Sequence, residues 1–286
     1  LFKFGFPLIA LQVCLGFSSA VIAADAPKTK PLWELGVGGG ALYAPDYPSS
    51  SQRSVRGLAL PYIIYRGEVF RIGDGQAAQA VAFENDRLQL DLSVAAAFNA
   101  ISEDNALRSG MPDLDYMVQI GPQLTVKLGD FQFAHNGSGE LKLALQARTV
   151  LSSDLRRIDH RGYVFEPMLQ YRQYGLLSPD FDLTVSVKPL WASERLHSYF
   201  YNVDPSFARV DRPAFNAEQG YFGTGVNFYG SYRLNEKANV FFGLQTTLFQ
   251  GAANTDSPLF EKSATVGIGA GFVWKLWASE RMVVQP

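Results

Sequence analysis

Alternation of apolar and polar residues, held over segments of ten residues or more, restricts this chain more than any other feature. From Leu88 one face reads Leu88, Leu90, Leu92, Val94, Ala96 and Phe98, and the other reads Gln89, Asp91, Ser93, Ala95, Ala97 and Asn99. A period of two is the signature of a β-strand with one apolar and one polar face. The pattern returns over 116–128, 140–149, 181–191 and 264–274.

Segment length then separates two kinds of β-protein. Globular strands run to about five or six residues. A strand that crosses a bilayer needs about nine to eleven, with every backbone group paired because lipid offers no partner. Several segments reach that length, and their polar faces carry Lys142, Arg148, Asp182 and Lys188, as a hydrated lumen requires. Trp33, Tyr43, Tyr65, Tyr171, Trp191, Tyr232 and Trp274 fall near strand ends, where aromatic girdles are expected. The fold class read from these features is all-β, an antiparallel transmembrane β-barrel.

Strands are expected at 33–43, 53–65, 68–83 (with a break at Gly73-Asp74-Gly75), 86–99, 115–128, 139–151, 161–174, 181–192, 196–203, 219–234, 237–250 and 263–276. That makes about twelve, and about ten or fourteen if one hairpin is merged or split. An even number places both termini on the periplasmic side, where Asn235-Glu236 suits a tight hairpin. Pro122, Pro167 and Pro189 each remove a ladder donor, so bulges or strand ends are expected around them.

Residues 1–24 read as a cleaved export signal, with Lys3, an uncharged stretch from Phe4 to Ala24 and small residues before Asp25. An uncleaved anchor is the alternative. The sole cysteine, Cys14, lies inside that stretch, so the mature chain would lack disulfides, zinc–thiolate sites and cysteine nucleophiles. The expected division is a short periplasmic segment over 25–32, the barrel over 33–277 and a tail over 278–286 with no evident role. A net charge of −2 gives no basic field for nucleic acid.

Candidate chemistry is sparse, and neither metal nor cofactor is expected. Gly36-Val37-Gly38-Gly39-Gly40-Ala41 matches a loose dinucleotide fingerprint, but Tyr43-Ala44-Pro45-Asp46-Tyr47-Pro48 cannot supply the helix that would hold a pyrophosphate. Small residues in a tightly curved or packed barrel wall are the expected reading. A lipid-modifying barrel enzyme would need a serine or histidine system. His135, His160 and His197 each have Ser or Asp nearby in sequence, and each is expected on a surface loop. Glu103, Asp104, Asp113 and Asp115, with Asn105, form an acidic cluster without calcium-loop spacing and with Arg108 in its middle. A solvated loop held by Arg108–carboxylate pairs is expected. Asp104, Asn105, Arg108, Asp113 and Asp115 are the candidates for partner contact.

Six segments in order also carry a family resemblance. They are Ala44-Pro45-Asp46-Tyr47-Pro48-Ser49-Ser50, Leu60 to Gly67, Ser102 to Tyr116 running on to Gly121-Pro122, Tyr199-Phe200-Tyr201-Asn202-Val203, Arg212-Pro213-Ala214-Phe215 and Asp256-Ser257-Pro258-Leu259. Together they resemble the MipA/OmpV family, the outer-membrane proteins named for an MltA-interacting protein. The resemblance implies an outer-membrane location among lipopolysaccharide and a non-enzymatic scaffold. Its partners would be a lytic transglycosylase and a penicillin-binding protein. A small porin-like channel, or an osmotic-response or adhesion protein, is the alternative. Family chains tend to end on an aromatic residue, whereas here Phe272 to Trp277 is followed by Ala278 to Pro286.

Overall fold

The computed structural model describes residues 29–72, 78–97, 99–133 and 137–284. The expected export signal and Gly73-Asp74-Gly75 lie outside them. Among the described residues there are fourteen strands and one α-helix. Twelve strands close into an antiparallel barrel: β2 (Trp33–Pro45), β3 (Arg53–Arg66), β4 (Phe70–Ile72), β5 (Ala78–Glu84), β6 (Leu88–Ala97), β7 (Tyr116–Gln132), β8 (Ser138–Ser153), β9 (Ile158–Tyr174), β10 (Phe181–Ala192), β11 (Gly220–Arg233), β12 (Ala238–Leu248) and β13 (Ala264–Ala278). Closure is made by β13 on β2, from Ile268↔Tyr43 to Ala278↔Glu34.

Burial is inverted relative to a soluble protein. On β6, Leu90 is 39% exposed while Asp91 is 3% exposed. The same holds on β8, where Leu145 faces outward and Gln146 and Arg148 are buried. An apolar exterior around a polar interior is the arrangement that lipid outside and water inside demand. Exposed aromatics gather at both rims, with Tyr65, Tyr232, Trp274 and Trp277 at one and Tyr43, Tyr163 and Trp191 at the other. No helix among the described residues is long and apolar enough to cross a membrane.

The two ends differ. One has short turns, two of them pinned by asparagine: Asn85 Oδ1 accepts the Arg87 and Leu88 N–H groups, and Asn235 Oδ1 those of Lys237 and Ala238. Both described termini lie here. Within the rim, Glu34 is clamped between Arg66 at 2.7 Å and Lys275 at 3.2 Å. Of the expected tail, β14 (Met282–Val284) pairs with β1 (Thr29–Pro31) in a two-stranded ribbon. The other end carries the loops 46–52, 98–115, 154–157, 193–219 and 249–263.

One strand assignment needs correction, and another resolves into two strands. Residues 196–203 form no barrel strand: α1 (Glu194–Tyr201) occupies 196–201 and turns its buried Leu196, His197, Phe200 and Tyr201 into the mouth of the barrel, and Val203 makes an isolated bridge to Phe215. The segment 68–83, expected with a break at Gly73-Asp74-Gly75, is divided there into β4 and β5, which are joined through residues outside the described set. The prolines behave as their chemistry requires. The β9–β10 register is interrupted between Leu169↔Val187 and Phe165↔Trp191, and both Pro167 and Pro189 lie in that interval. At Gly121 a Cβ would stand 2.0 Å from Ala147 O, and at Gly36 2.1 Å from Trp274 O, so the wall there admits only glycine.

Candidate functional site

The long loops fold together into a cap with its own apolar core. Leu196, Phe200, Tyr201 and Val203 from the α1 loop pack with Tyr47, Leu114, Phe222, Phe249 and Leu259, all buried. Aromatic rings carry much of this contact, with Phe200 edge-on to Phe222 and Phe249 edge-on to Phe260. Polar cross-links join the loops. Arg212, 2% exposed, donates to the carbonyls of Phe207, Leu107 and Ser109, tying loop 193–219 to loop 98–115. Tyr47 donates to Leu259 O at 2.8 Å, and Ser257 to Tyr201 O at 2.7 Å. Burial pushes the Tyr47 and Tyr201 phenols well above their ordinary values, so both stay neutral donors.

Beneath the cap lies a cavity of about 810 Å³. Its roof is the underside of the cap, including Tyr199, Phe200 and Phe222, and its walls are glutamines, threonines and charged side chains. Arg148 and Glu166, buried in the wall, pair at 2.8 Å, and Lys188 approaches the other Glu166 oxygen at 3.8 Å. Arg148 also donates to Gln119 and to Gln146. Nearer the short-turn end, Glu140 lies between Lys142 and Lys127, and Arg172 meets Asp182.

The loop chosen from sequence is part of this cap, and its chemistry differs from that expected. Arg108 makes no carboxylate pair among the described residues. It is buried, donating to Ser102 Oγ at 3.2 Å, Pro112 O at 3.0 Å and Phe200 O at 3.4 Å, and its guanidinium lies over the Tyr47 ring. Asn105 is equally buried and donates to Asp46 and Ser50. Asp113 accepts the Ser102 N–H, and Asp115 accepts from Ser152 and pairs with Arg161 at 3.3 Å. The Asp104 side chain is exposed, and its carbonyl accepts from Gln52. Of the five candidates, Asp104 and Asp113 are exposed, and Asp115 is half-buried. Asn105 and Arg108 hold the cap together from within.

The family profile described as MltA-interacting protein MipA matches residues 37–276, which is nearly all of the barrel. The chain belongs to the MipA family. No curated protein matches it. Among solved structures, Pseudomonas putida OprB overlays with a TM-score of 0.39 at 9% identity, over 87% of this chain and 94% of that one. A NanC porin gives 0.38 at 9% identity, over 85% and 100%. OmpT of Vibrio cholerae gives 0.34 at 9% identity, over 89% and 100%.

The two described histidines of this MipA-family chain fall in different settings. His135 lies outside the described residues. His160 is on β9 rather than in a turn; its ring packs edge-on against Tyr163 and accepts from Arg195 at 3.0 Å. His197 is not on a surface loop but buried in α1. Its Nε2 donates to Gly220 O at 3.2 Å, and its Nδ1 accepts from Asn254 at 2.8 Å. Burial lowers its pKa, which keeps the ring neutral. Its signal in the sequence was the spacing Leu196, His197, Phe200, Tyr201, a helical face. Gly36 to Gly40 lie within β2 and no helix follows, so the dinucleotide fingerprint has no structural counterpart.

Proposed function

We propose that this chain is a non-enzymatic outer-membrane scaffold for peptidoglycan-remodelling enzymes, with a lytic transglycosylase and a penicillin-binding protein as its partners. The observation that carries the reading is the folded cap. A pore-forming role needs a continuous path, whereas here buried Phe249, Leu259 and Tyr201 lie at the mouth with polar cross-links between every large loop. The family's description as an MltA-interacting protein supports the same reading. In this reading the short-turn end faces the periplasm, following the usual arrangement of short periplasmic turns and long outer loops. The loop bearing Asp104 and Asp113 then faces outward, and periplasmic enzymes meet the short-turn rim and the β1–β14 ribbon.

The test is crosslinking from intact envelopes followed by pull-down and mass spectrometry, with an unrelated barrel as control. Enrichment of a lytic transglycosylase or penicillin-binding protein is expected, and loss of both under conditions that capture known envelope complexes refutes the scaffold. Planar-bilayer recording separates the channel alternative, because a capped barrel gives no steady conductance.

A further inference from the structure

The register of the wall aligns one row of polar side chains across five strands. Lys142 on β8 is the partner of Gln170 on β9, Gln170 of Ser186 on β10, Ser186 of Asn227 on β11, and Asn227 of Gln245 on β12. Neighbours in such a row stand about 5 Å apart, so the groups form a regular ladder around part of the lumen. The next inward row towards the cap holds Lys188, whose stem covers bare Gly225, where a Cβ would lie 3.1 Å from the lysine Cγ.

These groups are under-used by the protein itself. Asn227 Nδ2 donates to Ser186 Oγ at 3.3 Å, but Asn227 Oδ1 is buried with no partner. No side-chain hydrogen bond joins Gln170 or Gln245 to another described residue, and both line the cavity of about 810 Å³. The nearby carboxylates are already engaged: Glu140 by Lys142 and Lys127, Glu166 by Arg148, and Asp182 by Arg172. Among the cations lining the cavity Lys188 is the least committed, with its nearest carboxylate oxygen 3.8 Å away. A buried unpartnered acceptor costs free energy unless a ligand supplies a donor.

We propose that this row binds a sugar acid, a hexose-sized ring with several hydroxyls and one carboxylate. Each amide offers a donor and an acceptor, which suits adjacent hydroxyls that both give and accept. The ring hydroxyls meet Gln170 and Gln245, and the carboxylate meets Lys188, all three of which line the cavity. A ligand ammonium finds no free carboxylate here, and a nucleobase finds no exposed aromatic face within the row. The cavity falls in the range of roughly 300–1,000 Å³ usual for small-molecule sites. This site does not depend on the scaffold reading, and either can fail alone.

The test is calorimetric titration of the purified full chain in detergent, with glucuronate and glucose as probes and heat-modifiable gel mobility as the folding control. Glucuronate is expected to bind with Kd of about 1 mM or tighter, and glucose about tenfold more weakly. Lys188→Met is expected to erase the preference between them, and Gln170→Leu to weaken both by about fivefold. Gln170→Glu, which keeps the shape and adds a repelling charge, is expected to abolish glucuronate binding while glucose still binds. Absence of binding up to about 10 mM overturns the proposal, as does equal affinity for the two sugars, or glucuronate affinity unchanged in all three folded variants.

Discussion

Replacing Arg212 tests whether the cap is a separately held unit that seals the barrel. The side chain is 2% exposed and donates four hydrogen bonds to three carbonyl oxygens, with distances of 2.5 to 3.2 Å. Arg212→Met keeps the stem but leaves the Leu107, Ser109 and Phe207 carbonyls without that donor. Hydrogen bonds to a charged group contribute about 1.5–3 kcal/mol each, and water reaching the opened loop recovers part, so a loss of about 3–6 kcal/mol is expected. Because the wall is held by strand-to-strand bonds that Arg212 does not touch, the cost falls on local opening of the cap. A loss of about 3 kcal/mol raises the open population by about a hundredfold. Hydrogen exchange should speed up across 107–111 and 196–201 and stay unchanged in β7, β8 and β9. Bilayer recordings should acquire brief openings that the parent lacks. Arg212→Lys, which keeps the charge but not the planar fork, should fall between the two. Unchanged exchange over both loops in a folded Arg212→Met barrel would refute the reasoning.

Lowering pH should loosen the same cap through His197. Its folded pKa is depressed, so the unfolded loop binds more protons in the interval between the two values. The stabilising contribution is complete above the ordinary histidine pKa of about 6.5 and declines as pH falls through that value towards the lower folded one. Exchange of the Gly220 region compared at neutral and mildly acidic pH reads this, and His197→Gln should flatten the difference. Gly121→Val should prevent assembly, since its Cβ would overlap Ala147 O, whereas Gly129→Ala, with its nearest contact at 3.7 Å, should fold normally on the gel-mobility assay. Arg148→Met should cost about 3 kcal/mol, because Glu166 stays buried with only Lys188 at 3.8 Å, and Arg148→Met with Glu166→Gln should recover most of it. Urea unfolding midpoints of the single and double variants decide the matter; equal losses would mean the pair is solvated.

The strands were legible because one rule acts on every one of them: lipid outside, water inside, and a side-chain period of two. Leu88 to Ser93 obey it residue by residue, and the structure turns Leu90 out and Asp91 in. The expected count of twelve matches the barrel only because the break within 68–83 supplies the strand that 196–203 does not. The segment 68–83 holds two strands, and 196–203 holds a helix. In a short run where most residues are aromatic or apolar, the helical spacing of Leu196, His197, Phe200 and Tyr201 is masked by Tyr199 and Val203, and periodicity alone does not separate strand from helix. The choice at α1 is made by Phe249, Leu259 and Tyr47, which arrive from loops far along the chain. The same limit explains Arg108, read as a partner of nearby carboxylates although its acceptors include Phe200 O, 92 residues away in sequence. It explains the lumen row as well. Gln170, Asn227 and Gln245 sit on separate strands with no shared motif, and the stagger at which the barrel closes places them side by side. Alternation decides which face a side chain points from, but only register decides which side chains meet. A shift of two residues between β10 and β11 would keep every apolar side chain facing lipid and would still separate Ser186 from Asn227.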